Sequence, residues 1–275
     1  SSLVLDAPLV LDQGIDLKKW KPENYGKKFC GPSTLRVGLE KSRNLMTVRI
    51  AQNLGIDELA SFSKRLNIYQ DPEELLSISL GSAETTLLNL TSAYSSFVNG
   101  GKLISPIIID RIQDSEGNTI INNENRKCSN CEKISFTGKD YPVIEDNYEQ
   151  IMSEQTAYQI TSFLEGVVKR GTGKKLKELK LNLAGKTGTT NENTDAWFVG
   201  FTSDLVIGVY VGMDNPKPLG KFETGSKAAL PIFKEFVEKA IKKSDARPFK
   251  VPKEMTLMVI DPLTGEKAKF NSKNT

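Results

Sequence analysis

Apolar positions along the chain change their period twice. Between residues 33 and 54, Leu35, Leu39, Val48, Ile50 and Leu54 recur at helical spacing, with Ser33 as the N-cap and Gly55 as the stop. Ser42-Arg43-Asn44 interrupts that run, because two poor helix formers flank Arg43 and the apolar phase shifts there. A second helix is predicted over 56–66, ended by Asn67 and then Asp71-Pro72. A third is predicted over 82–98, capped by Ser82 with Glu84 in its first turn and stopped by Gly100-Gly101. These early segments read as an all-helical layer. The period then becomes two: 107–113 and 119–121 flank Ser115-Glu116-Gly117-Asn118, a hairpin turn. A long helix over 153–169 ends at Gly171-Thr172-Gly173, and strands follow over 183–190, 195–201 and 205–212. Only Thr202-Ser203-Asp204 separates the last two strands, which makes them antiparallel neighbours. A helix over 228–243 and a strand over 255–260 complete an α+β fold, an antiparallel sheet packed against helices.

Composition removes several kinds of chemistry. The 275 residues contain no histidine, which excludes Ser-His-Asp and Cys-His catalysis and His-ligated zinc. An enzyme built from this chain needs a carboxylate, lysine or tyrosine as its proton carrier. Lys and Arg number 37 against 34 acidic residues, too near balance for the clustered basicity of a nucleic-acid binder. No apolar run approaches the ~18 residues of a membrane span, and the first residues carry neither a basic nor an apolar signal-peptide region. With no initiating Met, the chain is expected to be a mature product or a piece of something longer. Cys128 and Cys131 form a single C-x-x-C in a polar stretch without the ligands that zinc needs, so they read as a short disulfide closing a surface loop or as two idle thiols. No metal and no cofactor is expected. The polar insertion is drawn at 122–147 and a C-terminal tail at 245–275.

One strand carries unusual chemistry. Lys186-Thr187-Gly188-Thr189-Thr190 puts Lys186 and Gly188 on one face and Thr187 and Thr189 on the other. A glycine inside a strand weakens it and often marks the close approach of another backbone. An extended peptide added along this edge would gain main-chain hydrogen bonds, a threonine hydroxyl for its terminal carboxylate, and the positive potential of Lys186. A twisted core strand with a solvated lysine accounts for the same residues. Ser42-Arg43-Asn44, taken alone, does no more than separate two helices.

Taken in order along the chain, the two motifs resemble the S-x-N and K-T-G signatures of the penicillin-recognising serine transpeptidases. Trp20-Lys21-Pro22-Glu23-Asn24-Tyr25, Gly31-Pro32-Ser33-Thr34-Leu35-Arg36, Thr156-Ala157-Tyr158, Leu164-Glu165-Gly166-Val167-Val168, Arg170-Gly171-Thr172-Gly173, residues 184–190 and 195–201, and Gly212-Met213-Asp214-Asn215-Pro216 extend the likeness over nearly the whole chain. They resemble the transpeptidase domain of bifunctional, class A penicillin-binding proteins, and the C-x-x-C insertion is similar to that of proteobacterial members. The resemblance implies that Ser42 relays protons, that Asn44 bonds the amide of the acyl donor, and that Lys186 holds the site electropositive and links to Ser42. It further implies that Thr187 and Thr189 bind the donor's carboxylate beside Gly188, the Thr189 N–H contributing to an oxyanion hole.

The S-x-x-K signature of the family, which carries the acylated serine, should precede S-x-N. Here the one such sequence, Ser61-Phe62-Ser63-Lys64, follows it and reads as an amphipathic helix with a solvated lysine. The expectation is a domain N-terminally incomplete, lacking the nucleophile and the first strands of the sheet. Its intact parent would be a peptidoglycan D,D-transpeptidase acting on stem peptides and lipid-linked precursors and acylated by β-lactams. That parent would be periplasmic, anchored to the inner membrane through its N-terminal part, with a glycosyltransferase domain upstream. A β-lactamase or D,D-carboxypeptidase of the same superfamily, and a noncatalytic peptide-binding fragment, are the alternatives.

Overall fold

The computed structural model describes residues 2–12, 19–123, 126–131, 141–242 and 247–268. Its centre is a three-stranded antiparallel sheet of β7 (Ala184–Thr189), β8 (Ala196–Phe201) and β9 (Val206–Val211), in that order. Lys186 lies opposite Val199, Thr187 opposite Phe198 and Gly188 opposite Trp197. β7 runs as one unbroken ladder from Ala184 to Thr189, so Lys186 and Gly188 share one face and Thr187 and Thr189 the other, as the alternation of the sequence predicts.

Helices cover both faces. α4 (Leu87–Val98) packs on β8 and β9, and α5 (Glu154–Arg170) packs on β7; α6 (Ala229–Ala240) covers β8 and β9 from the other side. On the α6 side Phe198 meets Phe233 edge-on at 4.7 Å, amid fully buried Leu230 and Val237. The opposite face is filled by Leu164, Ala184 and Phe201, with Phe249 from the C-terminal stretch 5.6 Å from the Phe201 ring. Complete burial of a large apolar side chain contributes about 1.5–3 kcal/mol, which is why Phe198, Phe201 and Phe233 anchor the three layers.

The N-terminal part differs from the all-helical layer that was expected. β1 (Leu3–Asp6) pairs antiparallel with β2 (Gly31–Thr34) before α1 (Leu35–Glu40), α2 (Asn44–Leu54) and α3 (Ile56–Arg65) begin. Ser33 lies inside β2, and the cap of α1 is Thr34, whose hydroxyl accepts a bond from the Val37 N–H. The break expected at 42–44 falls at 41–43, with Ser42 in the left-handed region at φ 54° and Asn44 already opening α2. α4 starts four residues later than a Ser82 cap would place it. Thr86 caps it, accepting from the Asn89 N–H, and a 3-10 turn over Leu76–Leu80 precedes it.

The hairpin around Gly117 forms between β3 (Arg111–Gln113) and β4 (Thr119–Asn122), but 107–110 lie outside it. Asp114 closes its turn, accepting from the N–H groups of Glu116 and Asn118. β5 (Cys128–Ser129) and β6 (Val143–Ile144) pair next, and Cys128 is disulfide-bonded to Cys131. Much of the polar insertion and part of the C-terminal tail lie outside the described residues. Among the described residues the strand predicted over 255–260 does not form: a single bridge joins Ile260 to Lys267, and no described strand runs alongside 255–259. Among the described residues no helix is long and apolar enough to cross a membrane.

Candidate functional site

The turn between α1 and α2 lies against the edge strand β7. Ser42 is held by its own N–H, which donates to the Leu39 carbonyl, and by the Arg43 N–H, which donates to Gly38. These bonds close the left-handed turn and aim the Ser42 hydroxyl at β7. The Lys186 ammonium donates to Ser42 Oγ at 2.8 Å and to the Thr187 carbonyl at 2.9 Å. Two motifs 144 positions apart thus meet through one lysine. No carboxylate pairs with Lys186 among the described residues, and burial pushes its pKa down to about 8. Desolvation disfavours the charged form, so near neutral pH both forms are populated.

Thr187 and Thr189 turn to the other side of the strand. Their hydroxyls are tied differently: Thr187 Oγ1 lies 2.8 Å from Thr172 Oγ1, whereas Thr189 Oγ1 accepts from the Gly225 N–H at 3.0 Å. Gly188 has a reason within the protein to lack a side chain. A Cβ there would sit 3.1 Å from the Trp197 Cβ across the ladder. Gly225 is tighter still, since a Cβ would run into the carbonyls of Gly188 and Trp197.

β7 is an outer strand, and among the described residues no strand pairs with its other edge. The Thr190 N–H points inward, donating to the Asp195 carbonyl. In an antiparallel ladder successive residues alternate direction, so the backbone groups of Thr187 and Thr189 point to the open edge. The Thr187 carbonyl is already there, accepting from Lys186.

Asn44 opens α2 and donates from Nδ2 to the Glu23 carbonyl at 2.9 Å, which leaves its Oδ1 without a bond among the described residues. It hydrogen-bonds none of the β7 residues directly. Ser61 and Lys64 lie on α3 with exposed side chains, and neither bonds the other or Lys186. Lys64 lines a cavity of about 390 Å³ with Tyr69, Asn89 and Ile104, and a second cavity of about 440 Å³ lies beside Tyr158 and Phe249; neither is lined by Ser42, Asn44 or a β7 residue. No group of three or more His, Cys, Asp or Glu is placed to hold a metal among the described residues.

Two polar networks supporting the Ser42 turn and its neighbours are not legible in the sequence. Asn24, 2% exposed, donates to Asp6 Oδ1 at 2.7 Å and accepts from the Leu45 N–H; Asp6 also receives the Cys30 N–H and lies 3.6 Å from Arg43 Nε. This pins the residues that flank Asn44. The second network centres on Glu40, whose carboxylate takes both Nε and Nη2 of Arg170 and whose carbonyl accepts from the Thr172 N–H. Arg170-Gly171-Thr172-Gly173 reads as a helix stop, and nothing in its spacing reveals this partner.

Residues 6–238 match the penicillin binding protein transpeptidase domain family, and the chain belongs to that family. It is 44% identical to penicillin-binding protein 1A of Rickettsia conorii over 264 residues, covering 95% of this chain and 33% of the relative. The crystal structure of penicillin-binding protein 1A from Haemophilus influenzae superposes with a TM-score of 0.82 at 31% identity, over 98% of this chain and 43% of that one. The PonA1 protein of Mycobacterium tuberculosis, solved in complex with penicillin V, shares the fold with a TM-score of 0.71 at 21% identity, over 96% of this chain and 68% of that one. The chain therefore spans about a third of the length of the curated relatives it matches.

Proposed function

We propose that the β7 edge and the Ser42–Asn44 turn are the substrate-binding walls of a peptidoglycan D,D-transpeptidase. The observation that carries this reading is the 2.8 Å bond from Lys186 to Ser42. It joins a residue able to hold either protonation state to a hydroxyl able to pass a proton on. A stem peptide ending in D-Ala-D-Ala would lie along the open edge as an added strand. Thr187 and Thr189 would donate their hydroxyls to its carboxylate, Asn44 Oδ1 would accept an amide N–H of the donor, and the outward Thr189 N–H would stabilise the oxyanion. Lys186 would keep the groove electropositive, and Ser42 would carry protons between lysine and the leaving amine.

The acylated serine would come from an S-x-x-K segment outside these 275 residues, since Ser61 and Lys64 are exposed on α3 and unconnected to the groove. Stem peptides, lipid-linked precursors and β-lactams are the proposed partners, and the periplasmic face of the inner membrane the proposed location. The penicillin V complex of PonA1 supports the β-lactam among these.

Labelling with a fluorescent penicillin tests the reading. The 275-residue chain alone should take no covalent label. In the intact protein that carries this domain, the label should map to a serine outside residues 1–275, and Lys186→Ala should slow labelling by roughly 100-fold, the usual scale for losing one preorganised electrostatic group. Labelling at Ser61, or labelling indifferent to Lys186→Ala, would overturn it.

A further inference from the structure

We infer that Thr172 is a positioning residue that sets the direction of the Thr187 hydroxyl, and through it selects ligands ending in a carboxylate. This rests on the proposed function, because it concerns the same groove. A threonine hydroxyl has one proton and two lone pairs. It can donate to an arriving carboxylate only if nothing in the protein already holds its proton. Thr172 Oγ1 lies 2.8 Å from Thr187 Oγ1, and either could be the donor. When Thr172 donates, a Thr187 lone pair is satisfied and the Thr187 proton is left for the ligand. When the direction reverses, Thr187 presents lone pairs to the groove and repels a carboxylate. A carboxylate ligand therefore selects the first arrangement and a C-terminal amide gains less from it, so the Thr172 hydroxyl works as a charge-selective second layer.

The placement of Thr172 is fixed from the far side of the site. Its N–H donates to the Glu40 carbonyl at 3.2 Å, and Glu40 is two residues before Ser42. The Glu40 side chain is 4% exposed and is forked to Arg170, with Arg36 Nη1 3.9 Å away. Gly171 and Gly166 have no room for a side chain, because a Cβ on either would collide with Glu40, with its carbonyl at Gly171 and its carboxylate at Gly166. Close approach of α5 to the end of α1 is thus built into the backbone. Its result is that one residue, Glu40, holds both Thr172 and the start of the Ser42 turn.

The test uses this chain as it stands, with N-acetyl-D-alanyl-D-alanine and its C-terminal amide titrated separately and followed by NMR shifts of the β7 amides. Wild type should bind the free acid more tightly than the amide. Thr172→Val keeps the shape but removes the donor that orients the Thr187 hydroxyl, and should cut that acid-over-amide ratio by roughly five-fold, the scale of the one neutral hydrogen bond that is lost. Thr172→Ser should restore most of it. A merely structural role would weaken both ligands together and leave the ratio alone. If Thr172→Val retains the wild-type ratio while binding both ligands, the positioning role is refuted and the groove stands. If wild type itself shows no preference for the acid, the transpeptidase groove is refuted and the role of Thr172 falls with it.

Discussion

Replacing Lys186 with methionine should change the pH dependence of stability in a predictable window. The wild-type ammonium is held at a pKa of about 8 by burial, against an ordinary value of 10.5. A tenfold change in proton affinity corresponds to about 1.36 kcal/mol, so a charged Lys186 weakens the fold by roughly 3 kcal/mol at pH 7. The unfolded chain binds the extra proton between pH 8 and pH 10.5, and stability therefore rises with pH across that interval. The penalty is complete below pH 8 and gone above pH 10.5. Methionine carries no such penalty but forfeits the bonds to Ser42 Oγ and the Thr187 carbonyl, each worth a net ~1 kcal/mol. Lys186→Met should thus be more stable than wild type by about 1 kcal/mol at pH 7, and less stable by about 1 kcal/mol at pH 10, where most of the penalty has been titrated away. Urea unfolding of both proteins at several pH values gives the comparison. Burial holds the hydroxyls of Tyr94, Tyr69 and Tyr158 above their ordinary value, and this weakens both proteins alike at alkaline pH, so it cancels in the difference. A difference that stays constant within ~0.5 kcal/mol from pH 7 to pH 10 would show that Lys186 is not desolvated in the native state.

Arg170→Met should destabilise the domain by about 2 kcal/mol: breaking a buried pair costs about 3–5 kcal/mol, but Arg170 is 54% exposed and Arg36 remains near the stranded Glu40 carboxylate. A loss below ~0.5 kcal/mol in urea unfolding would place this pair with ordinary surface ion pairs instead. Asn24→Ala should cost about 2–3 kcal/mol, because it strips partners from Asp6, the Lys28 carbonyl and the Leu45 N–H at once. Amide exchange at 42–46 should rise with it, and unchanged protection there would mean that the network does not hold the turn.

What could be read from the sequence followed the distance over which each feature is determined. The sheet was legible because its information is local: alternation along 184–189, 196–201 and 206–211, with a three-residue connection fixing the antiparallel pairing. The break at Ser42 was legible for the same reason, as a change of apolar phase. Helix starts were less so. Ser33 and Thr34 are both acceptable caps, and the β1–β2 ladder, which runs on through Thr34 opposite Leu3, delays the helix until after Thr34. Ser82 and Thr86 are likewise both acceptable, and 82–86, which follow the 3-10 turn at Leu76–Leu80 and carry the bond from the Thr85 hydroxyl to the Ile68 carbonyl, stay outside the helix. The strand expected at 255–260 shows the opposite error, in which apolar residues without a neighbouring ladder stay outside any sheet.

The site divides along the same line. Lys186, Thr187 and Thr189 stand out because they belong to a short motif whose chemistry is visible in a few residues, and Ser42 and Asn44 only because their motif and that one occur in the order of the family. Glu40, Arg170 and Thr172 do not, because what matters about them is contact across about 130 positions. A glutamate ending a helix and an arginine ending another are, in sequence, indistinguishable from solvated charges. The trace they leave is steric: Gly166 and Gly171 stand where Glu40 must pass, and a glycine within a strong helix such as α5 gives up about 1 kcal/mol of helix propensity. Gly166 sits inside α5, where that cost has no conformational justification, since its φ is not positive and any residue could adopt its backbone. An interior helical glycine of this kind therefore points to a close partner before the partner is known, and here the partner is Glu40, two residues before Ser42 and bonded through its carbonyl to Thr172.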